Sequence, residues 1–293
     1  MVAIRARKIR HQTYYYLIHS SRKEGIVMKQ ERYLGKDLPD DIEEKKEAFL
    51  RELESEQYEK LDKIQRRYAK EARALPVSAK EKARQQFAIR FTYDTQRIEG
   101  STLTRKETAD LLEHGLTPAQ RPLRDVKEAE AHERLFTEAM DEELTLDTIL
   151  SWHKRLFGET KPDIAGRLRT HQVLIARSKF TPPLGVEVAH LVREFFAQYK
   201  KTRGEHPVAL AARVHLRFVT IHPFADGNGR ISRLMMNAVL HQHGYPMLSI
   251  PYEKRASYYN ALERSQVKKD ETIFVRWLIK KYLGEYRKYA RGS

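Results

Sequence analysis

A mainly α fold, a helical bundle interrupted by one short β-hairpin and preceded by a small N-terminal β-hairpin and a long helix, is predicted for this 293-residue chain. Three observations predict it. Apolar residues recur at helical spacings through most of the chain after residue 40. Helix start and stop signals punctuate it at Pro76, Thr104, Gly115 and Gly244. β-Favouring runs are confined to residues 13–34 and 169–183. At 41% hydrophobic, the chain is long enough to bury one sizeable core and a smaller appended unit.

Residues 13–34, TYYYLIHSSRKEGIVMKQERYL, place β-favouring runs on either side of a turn at 20–25 and read as a hairpin. Its surroundings are basic: Arg5, Arg7, Lys8, Arg10, Arg22, Lys23 and Lys29 face the single acid Glu24 up to residue 30. Contact with nucleic acid is one expectation from that charge; a small sheet over the main domain with a solvated basic face is the other. After Leu38-Pro39, Asp40, Asp41, Glu43 and Glu44 suit the positive end of a helix dipole. A long helix then runs toward Leu75, with Phe49, Leu53, Leu61, Ile64 and Tyr68 as a narrow apolar stripe. Pro76 ends it, and Ser78 with Glu81 reads as the capping box of a second helix through Phe87, Ile89, Phe91 and Ile98, stopped by Gly100. Thr104 with Glu107 starts a short helix that stops at Gly115. Beyond it, helices are expected over 146–157, 188–199, 208–220, 230–243 and 273–286. The interruption RTHQVLIARSKFTPP at 169–183, with Val173, Leu174, Ile175 and a double proline, reads as a hairpin. The expected division is a basic extension at 1–36, a helical linker at 37–85, a main helical domain at 86–286 and a tail at 287–293.

The absence of cysteine excludes disulfides, thiolate metal sites and cysteine nucleophiles. With no apolar run of membrane length and no leader pattern, a soluble, cytoplasmic protein without membrane contact is expected. A net charge of +15 favours encounter with polyanions, which is no statement about mechanism.

The chemistry concentrates in IHPFADGNGRISRLM, where one helix runs into a loop and a second helix runs out. Gly227 and Gly229 permit unusual backbone angles and leave peptide N–H groups open to a ligand, and the loop leads into the positive end of a helix, so it forms an anion cradle. Arg230 and Arg233 lie on the first turn and offer guanidinium forks to phosphate. Asp226 supplies a hard oxygen ligand for phosphate-bound Mg²⁺. His222 is the loop's candidate general base. His241 and His243, two apart on a helix, point in different directions and form no metal pair.

These residues resemble the Fic family signature His-x-Phe-x-(Asp/Glu)-Gly-Asn-Gly-Arg-x-x-Arg: His222, Phe224, Asp226, Gly227, Asn228, Gly229, Arg230 and Arg233 occupy every fixed position. The resemblance extends more weakly over 86–286. It implies a Fic-type helical bundle in which His222 deprotonates a hydroxyl and Asp226 holds Mg²⁺. It further implies that Gly227, Asn228 and Gly229 cradle the α and β phosphates of ATP, that Arg233 meets the γ phosphate, and that Phe224 anchors the loop in the core. Segment 169–183 stands where the family has a flap that aligns a target protein by strand addition. Arg255, Tyr258 and Tyr259 resemble the adenine-side helix, although Gln266-Val-Lys-Lys-Asp270 replaces the usual Asn before Gly-Asp. Phosphorylating members tend to carry Lys at the position of Gly229, so the glycine favours AMP transfer. Thr95-Gln-Arg-Ile-Glu99-Gly100 resembles the family's inhibitory pattern, which implies a bidentate Glu99–Arg233 pair that displaces the γ phosphate. In some relatives the same Glu positions a water that removes AMP.

The expectation is an autoinhibited protein adenylyltransferase, a nucleotidyltransferase acting on a Ser, Thr or Tyr hydroxyl. Two alternatives stand beside it: a nucleic-acid-associated regulator that uses the basic N-terminus and keeps the fold as scaffold, or transfer of UMP or another phosphate-linked group. Assembly of copies stays open.

Overall fold

The computed structural model describes residues 2–23, 26–176, 178–202 and 204–290. They fall into two compact units, 1–62 and 63–293, divided within the first helix.

In the first unit β1 (Val2–Ile9), β2 (Gln12–Lys23) and β3 (Ile26–Gly35) form an antiparallel sheet in that order. The expected hairpin corresponds to β2 and β3, and β1 adds a third strand. Its VAIRARKI reads as a merely basic flank because charges fall on both of its faces, Arg5 and Arg7 on one and Lys8 on the other. Residues 24 and 25 of the expected turn lie outside the described residues, as do 291–293 of the tail. Leu17 packs on Phe49 and Leu53 of α1 (Ile42–Ala74), with Val2, Leu34 and Ile42 around them. This helix carries most of the expected apolar stripe: Phe49, Leu53, Leu61 and Ile64 are buried, whereas Tyr68 is 36% exposed.

The second unit is helical. α2 (Val77–Ile98) starts one residue before the expected box at Ser78 and Glu81: Pro76 is the N-cap, and no side chain caps the helix. Proline's preset φ begins the turn directly, which leaves Ser78 inside it. α3 (Arg105–His114) carries the expected capping box of Thr104 and Glu107 and ends on a left-handed Gly115. α4 (Leu123–Ala139), α5 (Leu146–Phe157) and α6 (Val188–Lys201) lead to the central pair α7 (Pro207–Ile221) and α8 (Asn228–Gln242), followed by α9 (Arg255–Lys268), α10 (Thr272–Glu285) and α11 (Arg287–Ala290). Pro207 fits the first turn of α7, and both central helices are buried almost all round. Asp94 ties α2 to the segment before α9 by accepting from Ser249 Oγ at 2.7 Å and Tyr252 N at 3.1 Å. No described helix is long and apolar enough to cross a membrane.

The expected hairpin at 169–183 carries no strand among its described residues. Its arms meet through side chains: Gln172 Nε2 donates to Pro182 O at 3.1 Å and Arg169 Nη2 to Pro183 O at 2.8 Å. Pro182 and Pro183 lack the N–H donors that a ladder requires on the returning arm.

Two fully buried histidines make stability depend on acid. Burial pushes His132 and His215 down to about 3, with the arginine charges adding to the effect. Thr92 Oγ1 and Tyr258 OH hold their rings at 2.9 Å. The unfolded chain protonates both near pH 6.5, whereas the folded chain refuses the protons until about 3. Their contribution is therefore complete above the unfolded value and is lost as pH falls from there toward the folded value. The urea midpoint is expected to be lower at pH 5 than at pH 7.5, and His132→Gln to flatten the difference; equal midpoints in the unaltered chain would contradict neutral burial.

Candidate active site

The loop between α7 and α8 is held from several sides. His222 closes α7 in a left-handed conformation, φ 53° and ψ 57°, uncommon for a side-chain-bearing residue. Its Nδ1 lies 3.1 Å from Val219 O. A carbonyl can only accept, so Nδ1 carries the proton and Nε2 keeps its lone pair. Burial lowers the His222 pKa, favouring the neutral ring. Asn228 Oδ1 accepts from Phe224 N and its Nδ2 donates to Phe224 O, both at 2.8 Å. The side chain of Asn228 thus braces the loop.

Phe224 is buried with its ring stacked on His153, centroids 3.8 Å apart. Gly166 N donates to His153 Nδ1 at 2.9 Å, so Nε2 carries the proton toward Asp226 O at 3.0 Å. Gly227 turns the chain at φ 81°, and a Cβ there would strike the Phe157 ring. The aromatic floor therefore requires this glycine.

Asp226 sits among cations. Burial alone would raise its pKa, but the Arg230 and Lys161 charges bring it down to about 2, so it is a carboxylate. Lys161 Nζ lies 2.6 Å from Oδ2 and 3.0 Å from Glu128 Oε1; Arg230 Nη2 lies 3.4 Å from Oδ1. Arg230 is buried, pairs with Glu128 and donates to Gln96 Oε1 at 3.1 Å. Most of its fork is therefore committed to the protein.

Arg233, 1% exposed, meets the inhibitory-pattern helix. Thr95 and Glu99 lie four apart, on one face of the end of α2. Nη2 donates to Glu99 Oε1 at 2.6 Å and Thr95 O at 3.3 Å, Nε to Thr95 Oγ1 at 3.1 Å, and Nη1 to Tyr258 OH at 3.3 Å. Although burial works against the charge, the Glu99 carboxylate raises the Arg233 pKa above its ordinary value. The contact with Glu99 is a single one, not the expected bidentate fork, because Thr95 and Tyr258 take the other donors. Glu99 also presses on Gly229: a Cβ built there would overlap Glu99 Oε1. A carboxylate thus lies against the first turn of α8, where helix geometry favours an anion.

Tyr258 is buried, with its OH 2.9 Å from His215 Nε2 and 3.3 Å from Arg233 Nη1. Tyr259 is 45% exposed and donates to Ile98 O at 3.2 Å. His241 Nε2 lies 3.0 Å from Asp141 Oδ1, and His243 Nδ1 2.8 Å from Val239 O.

Sequence reasoning missed Lys161, Glu128, His153 and Arg169. Each meets the loop from a distant part of the chain and belongs to no local pattern. Arg169 is buried, and among the described residues its guanidinium binds carbonyls: His222 at 2.7 Å, His171 and Pro183 at 2.8 Å, and Ile221 at 3.4 Å. It joins both arms of the flap segment to the end of α7. Arg169→Met leaves these carbonyls without their charged donor and is expected to cost about 3 kcal/mol of stability by urea unfolding. Arg169→Lys, which lacks the planar fork, is expected to recover less than half of it.

Residues 143–240 match the Fic/DOC family. The chain is 32% identical over 208 residues to a protein named protein adenylyltransferase fic-1 from Caenorhabditis elegans, covering 68% of this chain and 40% of that protein. It is likewise 32% identical over 216 residues to protein adenylyltransferase Fic from Drosophila ananassae, covering 69% of this chain and 41% of that one. The chain thus spans about two fifths of these curated relatives. Among solved structures, a Fic-1 fragment from C. elegans superposes with a TM-score of 0.69 at 26% identity, over 83% of this chain and 74% of that one. A Fic-domain-containing signaling protein from Bacteroides thetaiotaomicron superposes with a TM-score of 0.69 at 25% identity, over 79% and 96%.

Proposed function

The chain is a Fic-domain protein through residues 143–240, and from that premise we propose that it transfers AMP from ATP to a hydroxyl of a target protein and is held back by its own Glu99. The observation that carries this reading is the Glu99 carboxylate seated on Arg233 and against Gly229 at the start of α8. The cradle accepts an anionic oxygen there, and its present occupant belongs to the chain itself.

In the reaction, Nε2 of His222 takes the proton of the incoming hydroxyl. The hydroxyl oxygen bonds to the α-phosphorus, the bridging bond to the β phosphate breaks, and pyrophosphate leaves. The ring is suited to this role because its Nδ1 is oriented by Val219 O and burial keeps it neutral. The N–H groups of Asn228 and Gly229 and the dipole of α8 meet the phosphates, Gly227 shapes the turn while its own N–H donates to Asp226 Oδ1 at 2.5 Å, and Arg233 takes the γ phosphate once Glu99 leaves.

Asp226 fits a divalent cation: it is ionised, and its side chain is 44% exposed. Mg²⁺ commonly takes one or two carboxylates and fills its remaining positions with phosphate oxygens and water. When bound, Mg²⁺ screens the charge of the phosphates. Lys161 is the protein cation that now accompanies Oδ2.

An open groove of 610 Å³, lined in part by Phe180, Pro183, Leu191, Phe195 and Ile221, runs beside the 169–183 segment. It offers a target backbone a place next to the end of α7 that carries His222.

The test is the origin of the label. With Glu99→Gly and Mg²⁺, label from the α phosphorus of ATP should enter protein while γ label leaves as pyrophosphate; UTP in parallel tests the donor base. γ Label on protein, or no label with Mg²⁺–ATP binding verified, would sink AMP transfer.

A further inference from the structure

The first unit presents a second chemistry-bearing surface. Pairing across the sheet aligns Arg5, Tyr16 and Tyr33 in one row, Arg7 and Tyr14 in the next, and Ser20 with Lys29 farther along. Because side chains alternate, these residues stand on the face opposite Leu17, which packs on Phe49 and Leu53. Three tyrosines gather there: the Tyr33 ring lies 5.3 Å from Tyr16 and 6.2 Å from Tyr14, and Tyr33 is 53% exposed. The Arg7 guanidinium lies 4.8 Å from the Tyr16 ring centre and pairs with Glu31. Arg5 and Lys29 are exposed, and neither has an acidic partner among the described residues. Arg10 is exposed in the turn between β1 and β2. Residues 1–35 hold eight Lys and Arg against two acids.

We propose that this face binds single-stranded nucleic acid, with a base stacked on Tyr33 and phosphates met by Arg5, Arg10 and Lys29. Positive charge alone would draw any polyanion. The aromatic cluster narrows the choice, because an exposed ring among cations gains most from a partner that alternates phosphates with flat, unstacked bases. A duplex keeps its base faces covered and would use only the cations. An acidic protein supplies carboxylates but no regular succession of flat rings. None of the loop residues around His222 enters this surface, so the proposal stands or falls apart from the nucleotide chemistry.

Fluorescence anisotropy with the full chain and labelled oligo-dT or oligo-U tests it, with a duplex of equal length as comparison. The single strands should bind more tightly than the duplex, with log K falling against log salt at a slope of about −2 for three neutralised phosphates. Tyr33→Ala should weaken binding roughly 5- to 100-fold at an unchanged thermal midpoint, while Tyr33→Phe, which keeps the ring, should bind within about twofold. Arg5→Gln with Lys29→Gln should bring the slope to about −0.7. The proposal is overturned by no single-strand binding at low salt, by duplex binding as tight as or tighter than single-strand binding, by Tyr33→Ala binding as the unaltered chain does, or by Tyr33→Phe binding as weakly as Tyr33→Ala.

Discussion

Glu99→Gly is expected to incorporate AMP from α-labelled ATP about 100-fold faster than the unaltered chain, the scale set by mis-seating a reacting centre. The carboxylate removed is the one 2.6 Å from Arg233 Nη2 and in the space beside Gly229. With it present, an incoming γ phosphate loses its arginine and meets a like charge. Initial rates under saturating Mg²⁺–ATP measure the effect; equal rates would mean that Glu99 does not restrain the site. Arg233 in the variant remains buried and charged, with Thr95 and Tyr258 as its neighbours. The variant is therefore expected to be less stable without nucleotide. Mg²⁺–ATP should raise its thermal midpoint more than that of the unaltered chain.

His222→Ala in the Glu99→Gly background is expected to reduce the rate by about 10²- to 10⁴-fold, the usual worth of a positioned general base. Nucleotide affinity should stay within a few-fold, because the contacts proposed for the phosphates are those of the Gly-rich turn and Arg233. Equilibrium binding alongside the rate separates the two effects. The lowered pKa of His222 gives the pH dependence. The base works in its neutral form, so the rate of Glu99→Gly should hold as pH drops through about 6.5, where an ordinary imidazole is half protonated, and fall only below it. A midpoint at or above the ordinary value would contradict a buried, neutral His222.

What the sequence made legible was local. The His222–Arg233 loop could be read because turn geometry, anion binding and proton transfer each select residue types within twelve positions. The capping box of α3 could be read because both of its hydrogen bonds join residues three apart, Glu107 N to Thr104 Oγ1 at 3.2 Å and Thr104 N to Glu107 Oε2 at 2.8 Å. The Ser78 box follows the same rule and still gave way, since a proline two residues earlier fits the helix start better. Partnerships across the chain were illegible. Glu128 on α4 looks like one more surface acid until folding buries it against Arg230, and Arg169 carries no mark of its four carbonyl partners. Tyr258 illustrates the converse: it was expected on an adenine-side helix, and its burial behind Arg233 depends on how α9 packs against α7 through His215. The third strand was hidden because its core-facing and outward residues do not separate by polarity.

The overlap between a side chain at 229 and the carboxylate at 99 also bears on descent. Two positions 130 residues apart in sequence share one small volume, so a side chain at 229 would require the Glu99 carboxylate to swing aside. A lineage that keeps the acid seated here favours glycine at 229, because a side chain there displaces the carboxylate from its place on Arg233. Substitutions at the two sites should accordingly be non-additive.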